Sequence, residues 1–186
     1  MLTGVNLYLI GMMGAGKTSV GQLLAQKLGY RFFDTDALIE QIAGQKINDI
    51  FATSGEEAFR ELETQVLAEI SAYTNLTIAT GGGIILRQQN WSYLHHGLIV
   101  WLDVPVEILL DRLAQDTTRP LLQDTDPSGK LQALLQQRQQ LYAQADVRIS
   151  IEADETPDRV AARVLEAIPQ VLKKPANPPV GPQNGH

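Results

Sequence analysis

Apolar residues in this chain follow two rhythms. Short runs at Leu7–Ile10, Arg31–Phe33, Leu76–Ala79, Leu98–Leu102 and Val147–Ile151 are too brief for helices and predict strands. Between them apolar positions recur at helical spacing. Val20, Leu23, Leu24 and Leu28 form one stripe, and Phe59, Leu62, Val66 and Ile70 another; each predicts a helix with one buried face. Gly29 stands just past the first stripe, where a glycine ends a helix. Ser54 and Glu57 precede the second at capping-box spacing, so that helix is expected to begin there. Strand alternating with helix implies right-handed crossovers and an α/β fold with a parallel sheet covered on both faces. Ligands in such sheets collect beyond the carboxyl ends of the strands.

The first strand runs straight into Gly11-Met12-Met13-Gly14-Ala15-Gly16-Lys17-Thr18, a complete G-x-x-x-x-G-K-[ST] phosphate loop followed by a helical pattern. Its glycines let successive N–H groups point inward at phosphate oxygens, and the helix N-terminus adds its dipole. Lys17 supplies a positive charge to the β- and γ-phosphates, and the Thr18 hydroxyl is a Mg²⁺ ligand in such loops. The pattern therefore predicts binding of a nucleoside triphosphate.

Composition narrows the partners. The chain has 186 residues, the size of one domain, and a formal net charge of −6. That charge offers no broad basic surface to nucleic acid or anionic membrane, so an anionic ligand has to be held by a few placed arginines and backbone amides. There is no cysteine, which excludes disulfides and thiolate metal sites. No apolar run approaches the roughly 18 residues of a membrane span. A strand pattern beginning almost at Met1 leaves no signal peptide in this reading, and a cytoplasmic protein is expected. After Leu172 the composition turns to Pro, Asn and Gly, so residues 1–172 are expected to form one domain and 173–186 a disordered tail.

Several residues could select a second substrate. Asp34 and Asp36 sit two apart at a strand end, where both carboxylates could face the ligand crevice. One could stand near Mg²⁺ and the transferred phosphoryl, the other could accept from a substrate hydroxyl, and helix capping is the competing role for either. Asp36 lies closer to the helix start expected near Ala37 and is the stronger capping candidate of the two. Arg60 has Glu56 and Glu63 at i−4 and i+3, and spacing alone favours a surface ion pair. Gly81-Gly82-Gly83 closes the strand from Leu76, and three glycines favour close ligand approach over a plain turn. Arg119 lies on a polar loop, either solvated or able to close over phosphates. Arg138 falls on the apolar stripe of Leu131, Leu134, Leu135, Leu141 and Tyr142. It must meet an anion, line a ligand cavity or snorkel outward. His95, His96 and His186 have no metal-ligand spacing.

In this order the pieces resemble the shikimate kinase family. The phosphate loop is followed by Phe32-Phe33-Asp34-Thr35-Asp36, Phe59-Arg60-Glu61-Leu62-Glu63, Gly81-Gly82-Gly83 and Arg119-Pro120-Leu121. The likeness covers about residues 5–170. It implies a P-loop NTPase fold of the nucleoside-monophosphate-kinase type: five parallel strands flanked by helices, a lid at about residues 115–125, and a substrate-binding helical segment. The implied reaction is transfer of the ATP γ-phosphoryl group to the 3-hydroxyl of shikimate, in aromatic amino-acid biosynthesis.

The resemblance also implies residue roles. ATP would contact Gly14, Ala15, Gly16, Lys17, Thr18, Ser19, Arg112 and Arg119, with Arg112 stacking on adenine. Shikimate would contact Asp36, Arg60, Gly82 and Arg138, with Glu63 holding Arg60 in place. Catalysis would fall to Lys17, Asp34 and Arg119, and one Mg²⁺ to Thr18 and Asp34. Shikimate and ATP would be the partners of a monomer. Where the family often carries a basic residue after the last strand, residues 152–155 here are acidic. A gluconate-kinase-like enzyme and a non-catalytic nucleotide-binding regulator are the rival readings; neither is expected to keep all these motifs.

Overall fold

A computed structural model describes residues 2–115 and 125–173. Arg119, residues 116–124 of the expected lid and residues 174–186 of the expected tail lie outside the described residues. Strands β1 (Leu7–Ile10), β2 (Arg31–Asp34), β3 (Leu76–Ala79), β4 (Leu98–Asp103) and β5 (Val147–Ser150) coincide with the five apolar runs to within a residue. They form one parallel sheet in the order β2-β3-β1-β4-β5. The register aligns the carboxyl ends: Asp34 stands opposite Ala79, Ile10 opposite Trp101, and Asp103 opposite Ser150. Residues just past these ends share one rim, which is why distant motifs meet.

Helices α1 (Lys17–Leu28), α2 (Thr35–Ala43), α3 (Ile47–Ser71), α4 (Gln88–Leu94), α5 (Val106–Ala114), α6 (Pro127–Tyr142) and α7 (Pro157–Leu172) complete the described fold. Gly29 closes α1 at φ 70°, as its position predicts. Lys173, expected in the tail, closes α7, its N–H donating to the Pro169 carbonyl. Gly21 lets α1 lie directly on the sheet, since a Cβ there would come within 2.7 Å of the Phe32 ring.

The capping box predicted at Ser54 and Glu57 is not what starts α3. The helix begins at Ile47 and breaks at Gly55 (φ 84°, ψ 171°) before resuming. Glycine adopts that backbone without the penalty a Cβ brings. The Ser54 hydroxyl contacts Thr53, and the Glu57 carboxylate pairs with Arg87 on the loop before α4.

Two apolar clusters hold the described residues together. The larger is built on the sheet and includes Leu9, Ile78, Val100, Trp101 and Tyr142, all essentially inaccessible. The smaller joins α2 to α3 through Ile39, Ile50, Phe59 and Val66. Gly97, at the entry to β4, is packed against backbone: a Cβ would sit 2.5 Å from the Asn6 carbonyl oxygen and 2.7 Å from the Tyr8 ring. Neither can retreat without moving β1, so Gly97→Ala is expected to cost about 2 kcal/mol or more. A urea denaturation midpoint equal to wild type would refute that packing.

Candidate active site

The phosphate loop curls as its glycines dictate. Gly14 (φ 81°) and Gly16 (φ 92°) occupy the left-handed region, and Ala15 N–H donates back to the Met12 carbonyl at 3.1 Å. Lys17 Nζ donates to the carbonyls of Gly11 and Met12, 3.1 Å to the latter, so the ammonium lies across the loop. Thr18 Oγ1 donates to Asp34 Oδ2 at 2.7 Å, joining the start of α1 to the end of β2.

Asp34, not Asp36, caps α2, reversing the order that sequence position favoured. Its Oδ1 accepts from the N–H groups of Asp36, at 2.9 Å, and Ala37. The helix starts at Thr35, two residues earlier than expected, which places Asp34 at the half-in position that capping requires. Capping and facing the phosphate loop are compatible here because each uses a different carboxylate oxygen.

Gly81-Gly82-Gly83 turns away from the sheet in the middle of the rim, and four side chains crowd against it. A Cβ on Gly81 would meet Asp36 Oδ1 at 2.7 Å and Glu63 Oε2 at 2.9 Å. One on Gly83 would collide with the Arg60 guanidinium, and one on Gly82 would lie 3.6 Å from Arg138 and from Met13 N. The turn is anchored from below: Gly81 N–H donates to the buried Thr35 hydroxyl at 3.0 Å, and Thr80 Oγ1 donates to the Leu9 carbonyl of β1 at 2.8 Å.

Arg60 is not the surface pair that its spacing favoured. Its closer partner is Glu63, at 2.9 Å, whose side chain is 1% exposed, whereas Glu56 lies 3.6 Å away in solvent. The helix turns Glu63 inward beneath the glycines, so Arg60 is drawn in with it. Glu63 Oε2 and Arg60 Nε are buried without a hydrogen-bond partner among the described residues. Buried polar atoms left this way are uncommon, and beside bare backbone they suit a polar ligand.

Burial pushes the Glu63 carboxyl above its ordinary value of 4.5 against the pull of Arg60, with Asp36 adding to the rise and Arg138 opposing it. A raised folded value contributes stability that is fully present below the unfolded value and lost as pH rises through the folded one. The stability of wild type relative to Glu63→Gln is therefore expected to fall as pH rises above the ordinary carboxyl value of 4.5. The opposite slope in chemical denaturation would mean that Arg60 dominates and holds Glu63 ionised.

Arg138 on α6 donates to the Gly82 carbonyl at 3.2 Å and enters no ion pair among the described residues. Of the choices open from sequence, it lies against the glycine turn and does not snorkel away. Tyr142, which the sequence pattern marks only as apolar, donates to the same carbonyl at 2.9 Å. Thr35 and Tyr142 are the site residues that sequence reasoning missed. A hydroxyl four residues after an inward-facing arginine was the available signal for Tyr142.

A cleft of about 290 Å³ runs from the phosphate loop past Thr18, Asp34 and Asp36 to Gly81 and Gly82. A second, of about 310 Å³, adjoins it across Gly14–Gly16 and is bordered by Arg112, Ile151, Glu155, Pro157 and Val160. Arg112 donates to the Gly14 carbonyl at 3.1 Å. Burial raises the Glu155 carboxyl, but hydrogen bonds from Arg163 and the Glu152 N–H outweigh it and leave the group below its ordinary value. The Glu155 carboxylate is thus paired with Arg163 where the acidic loop borders the cleft.

Comparison with known proteins agrees with this arrangement. Residues 13–169 match the shikimate kinase family model. A shikimate kinase from Nostoc sp. strain PCC 7120 is 64% identical over 177 residues, covering 95% of this chain and 98% of the relative. One from Thermosynechococcus vestitus is 57% identical over 172 residues, covering 92% and 94%. Among solved structures, a shikimate kinase from Acinetobacter baumannii in complex with shikimate superposes with a TM-score of 0.84. It is 42% identical and covers 91% of this chain and 96% of that one. Shikimate kinase from Aquifex aeolicus gives a TM-score of 0.76 at 31% identity, covering 91% and 99%. With its phosphate loop, acidic pair, buried Arg60–Glu63 pair and triple-glycine turn on one rim, the chain belongs to the shikimate kinase family.

Proposed function

We propose that Lys17, Thr18 and Asp34 serve the phosphoryl end of ATP, while Asp36, Arg60, Gly82 and Arg138 hold shikimate. As a shikimate kinase the chain transfers the γ-phosphoryl group of ATP to the 3-hydroxyl of shikimate, giving shikimate 3-phosphate and ADP. The observation that carries the residue assignment is the glycine turn. Its bare backbone is surrounded by Asp36, Arg60, Glu63 and Arg138, with two buried polar atoms still unpaired.

Each part has a physical role. Loop residues Gly14, Ala15, Gly16, Lys17, Thr18 and Ser19 with the α1 N-terminus receive the phosphates, and Arg112 stacks on the adenine in the adjoining cleft. Arg60 and Arg138 bind the shikimate carboxylate from two sides of the turn, Asp36 accepts from ring hydroxyls, and Gly82 N–H completes the orientation. Asp34 Oδ2 takes the proton of the attacking 3-hydroxyl. Arg119 is proposed to reach the phosphates from the lid. Chemistry of this kind is mostly positioning and charge stabilisation, so no covalent nucleophile is required.

The donor set at Thr18 and Asp34, a hydroxyl and a carboxylate 2.7 Å apart beside the phosphate loop, fits Mg²⁺. No cluster of three metal-binding side chains occurs among the described residues, which suits a cation held by one or two protein oxygens together with phosphates and water. When bound there, Mg²⁺ would neutralise charge developing on the β- and γ-oxygens.

No helix among the described residues is long and apolar enough to cross a membrane. A monomer in the cytoplasm completes the proposal. The lack of cysteine fits a reducing compartment.

ADP release from Mg-ATP, followed with shikimate, with gluconate and with neither, tests the reading. Turnover that depends on shikimate is expected. Nucleotide binding without shikimate-dependent turnover would leave the phosphate loop assigned and remove the acceptor.

A further inference from the structure

Tyr142 closes α6 one helical turn beyond Arg138, and its side chain is completely buried. Its ring stacks on Trp101 of β4 at 5.6 Å and 18°. Trp101 is also contacted by Arg148, 4.5 Å from the ring and itself paired with Asp103 at 2.6 Å. The phenol oxygen is thus delivered to one place by a rigid stack. There it donates to the Gly82 carbonyl at 2.9 Å and lies 3.7 Å from the Met12 sulfur of the phosphate loop. Thioether sulfur is a weak acceptor, so the single phenolic proton belongs to the carbonyl.

That carbonyl has two donors, Tyr142 and Arg138 at 3.2 Å. The redundancy matters if Arg138 binds the substrate carboxylate, because the guanidinium must then turn its N–H groups toward the ligand. Were it the only donor, its departure would orphan a partly buried carbonyl and set a desolvation penalty against binding. We propose that Tyr142 is a positioning residue for shikimate binding, which keeps the Gly82 carbonyl satisfied and so releases Arg138 to the substrate carboxylate. By holding that carbonyl it also limits rotation about ψ of Gly82, the one residue of the turn with Arg138 beside it and no side chain to restrain it. Burial pushes the Tyr142 phenol up, against the opposing pull of Arg138, so the group remains a donor over the working pH range.

The inference rests on the assignment of Arg138 to the shikimate carboxylate, and a double-mutant cycle separates the two. Tyr142→Phe removes the donor and leaves the stack on Trp101. It is expected to raise the shikimate KM and the calorimetric Kd about five- to tenfold, with kcat and the KM for ATP within about twofold of wild type. In an Arg138→Ala background the same change is expected to add less than about twofold, since no arginine remains to be released. Thermal denaturation of all four proteins controls for packing. If Arg138→Ala alone leaves shikimate affinity unchanged, the carboxylate assignment fails and the inference with it. If Arg138→Ala weakens binding but Tyr142→Phe does not, or if the two effects are additive, Tyr142 has only a packing role. Equal rises in both KM values would likewise overturn the proposal.

Discussion

Replacement of Lys17 by alanine is expected to lower kcat by roughly 10²-fold or more, the scale of losing one preorganised charge at a transferring group. The Lys17 side chain is only part-buried, so its loss is not expected to be a folding defect. Its Nζ is held by the Gly11 and Met12 carbonyls of the same loop. Those carbonyls orient the ammonium before nucleotide arrives, so little reorganisation is needed when phosphate charge develops. The thermal midpoint without ligand should therefore stay near wild type while turnover collapses. Initial rates at saturating Mg-ATP and shikimate check the first expectation. Wild-type turnover would remove the catalytic assignment of the loop lysine, and Lys17→Arg is expected to recover little because a planar fork does not replace a compact ammonium.

The second large effect is expected at Arg138. Its guanidinium is in no ion pair among the described residues and faces the glycine turn. Charge-assisted hydrogen bonds to a carboxylate contribute more than neutral ones, and their loss corresponds to a rise in shikimate KM of roughly ten- to a hundredfold for Arg138→Ala. kcat is expected to change far less, because the contact is remote from the transferred group and acts equally in the ground and transition states. Steady-state kinetics with shikimate varied at fixed Mg-ATP decide it. An unchanged KM with a lowered thermal midpoint would assign Arg138 to packing alone.

How much of this was legible in sequence follows from the range of each interaction. The strands and α1 were readable because the runs at Leu7–Ile10 and Leu76–Ala79 and the Gly29 stop are local signals. The start of α3 was not. Its first turns, from Ile47, carry a weaker stripe than the segment after Gly55, and a plausible capping pair lay nearer the stronger signal. Sequence position ranks Asp34 below Asp36 for capping because the choice between them turns on a two-residue shift in the start of α2. That start is fixed by where β2 ends beside Ala79, a tertiary fact.

The same distinction holds at the site. Asp36, Arg60, Gly82 and Arg138 were nameable from motifs, but spacing alone made Arg60 a surface residue. Only packing of α3 beneath the glycine turn places Glu63 out of solvent and changes the character of that pair. Tyr142 carried no motif of its own. Its hydroxyl has meaning only because the chain returns after 60 residues to the Gly82 carbonyl, a contact visible only in the folded chain.

The two unequal cores bear on how such an enzyme can change its acceptor. Ile39, Ile50, Phe59 and Val66 join α2 to α3 apart from the sheet cluster, whereas Leu67, further along α3, belongs to the sheet. Substitutions on the outer part of this helical pair can therefore be absorbed within a small cluster, with the nucleotide half left packed as before. Acceptor preference and phosphate handling become separable traits under selection, and the natural seam for exchanging one without the other falls within α3, near Val66–Leu67.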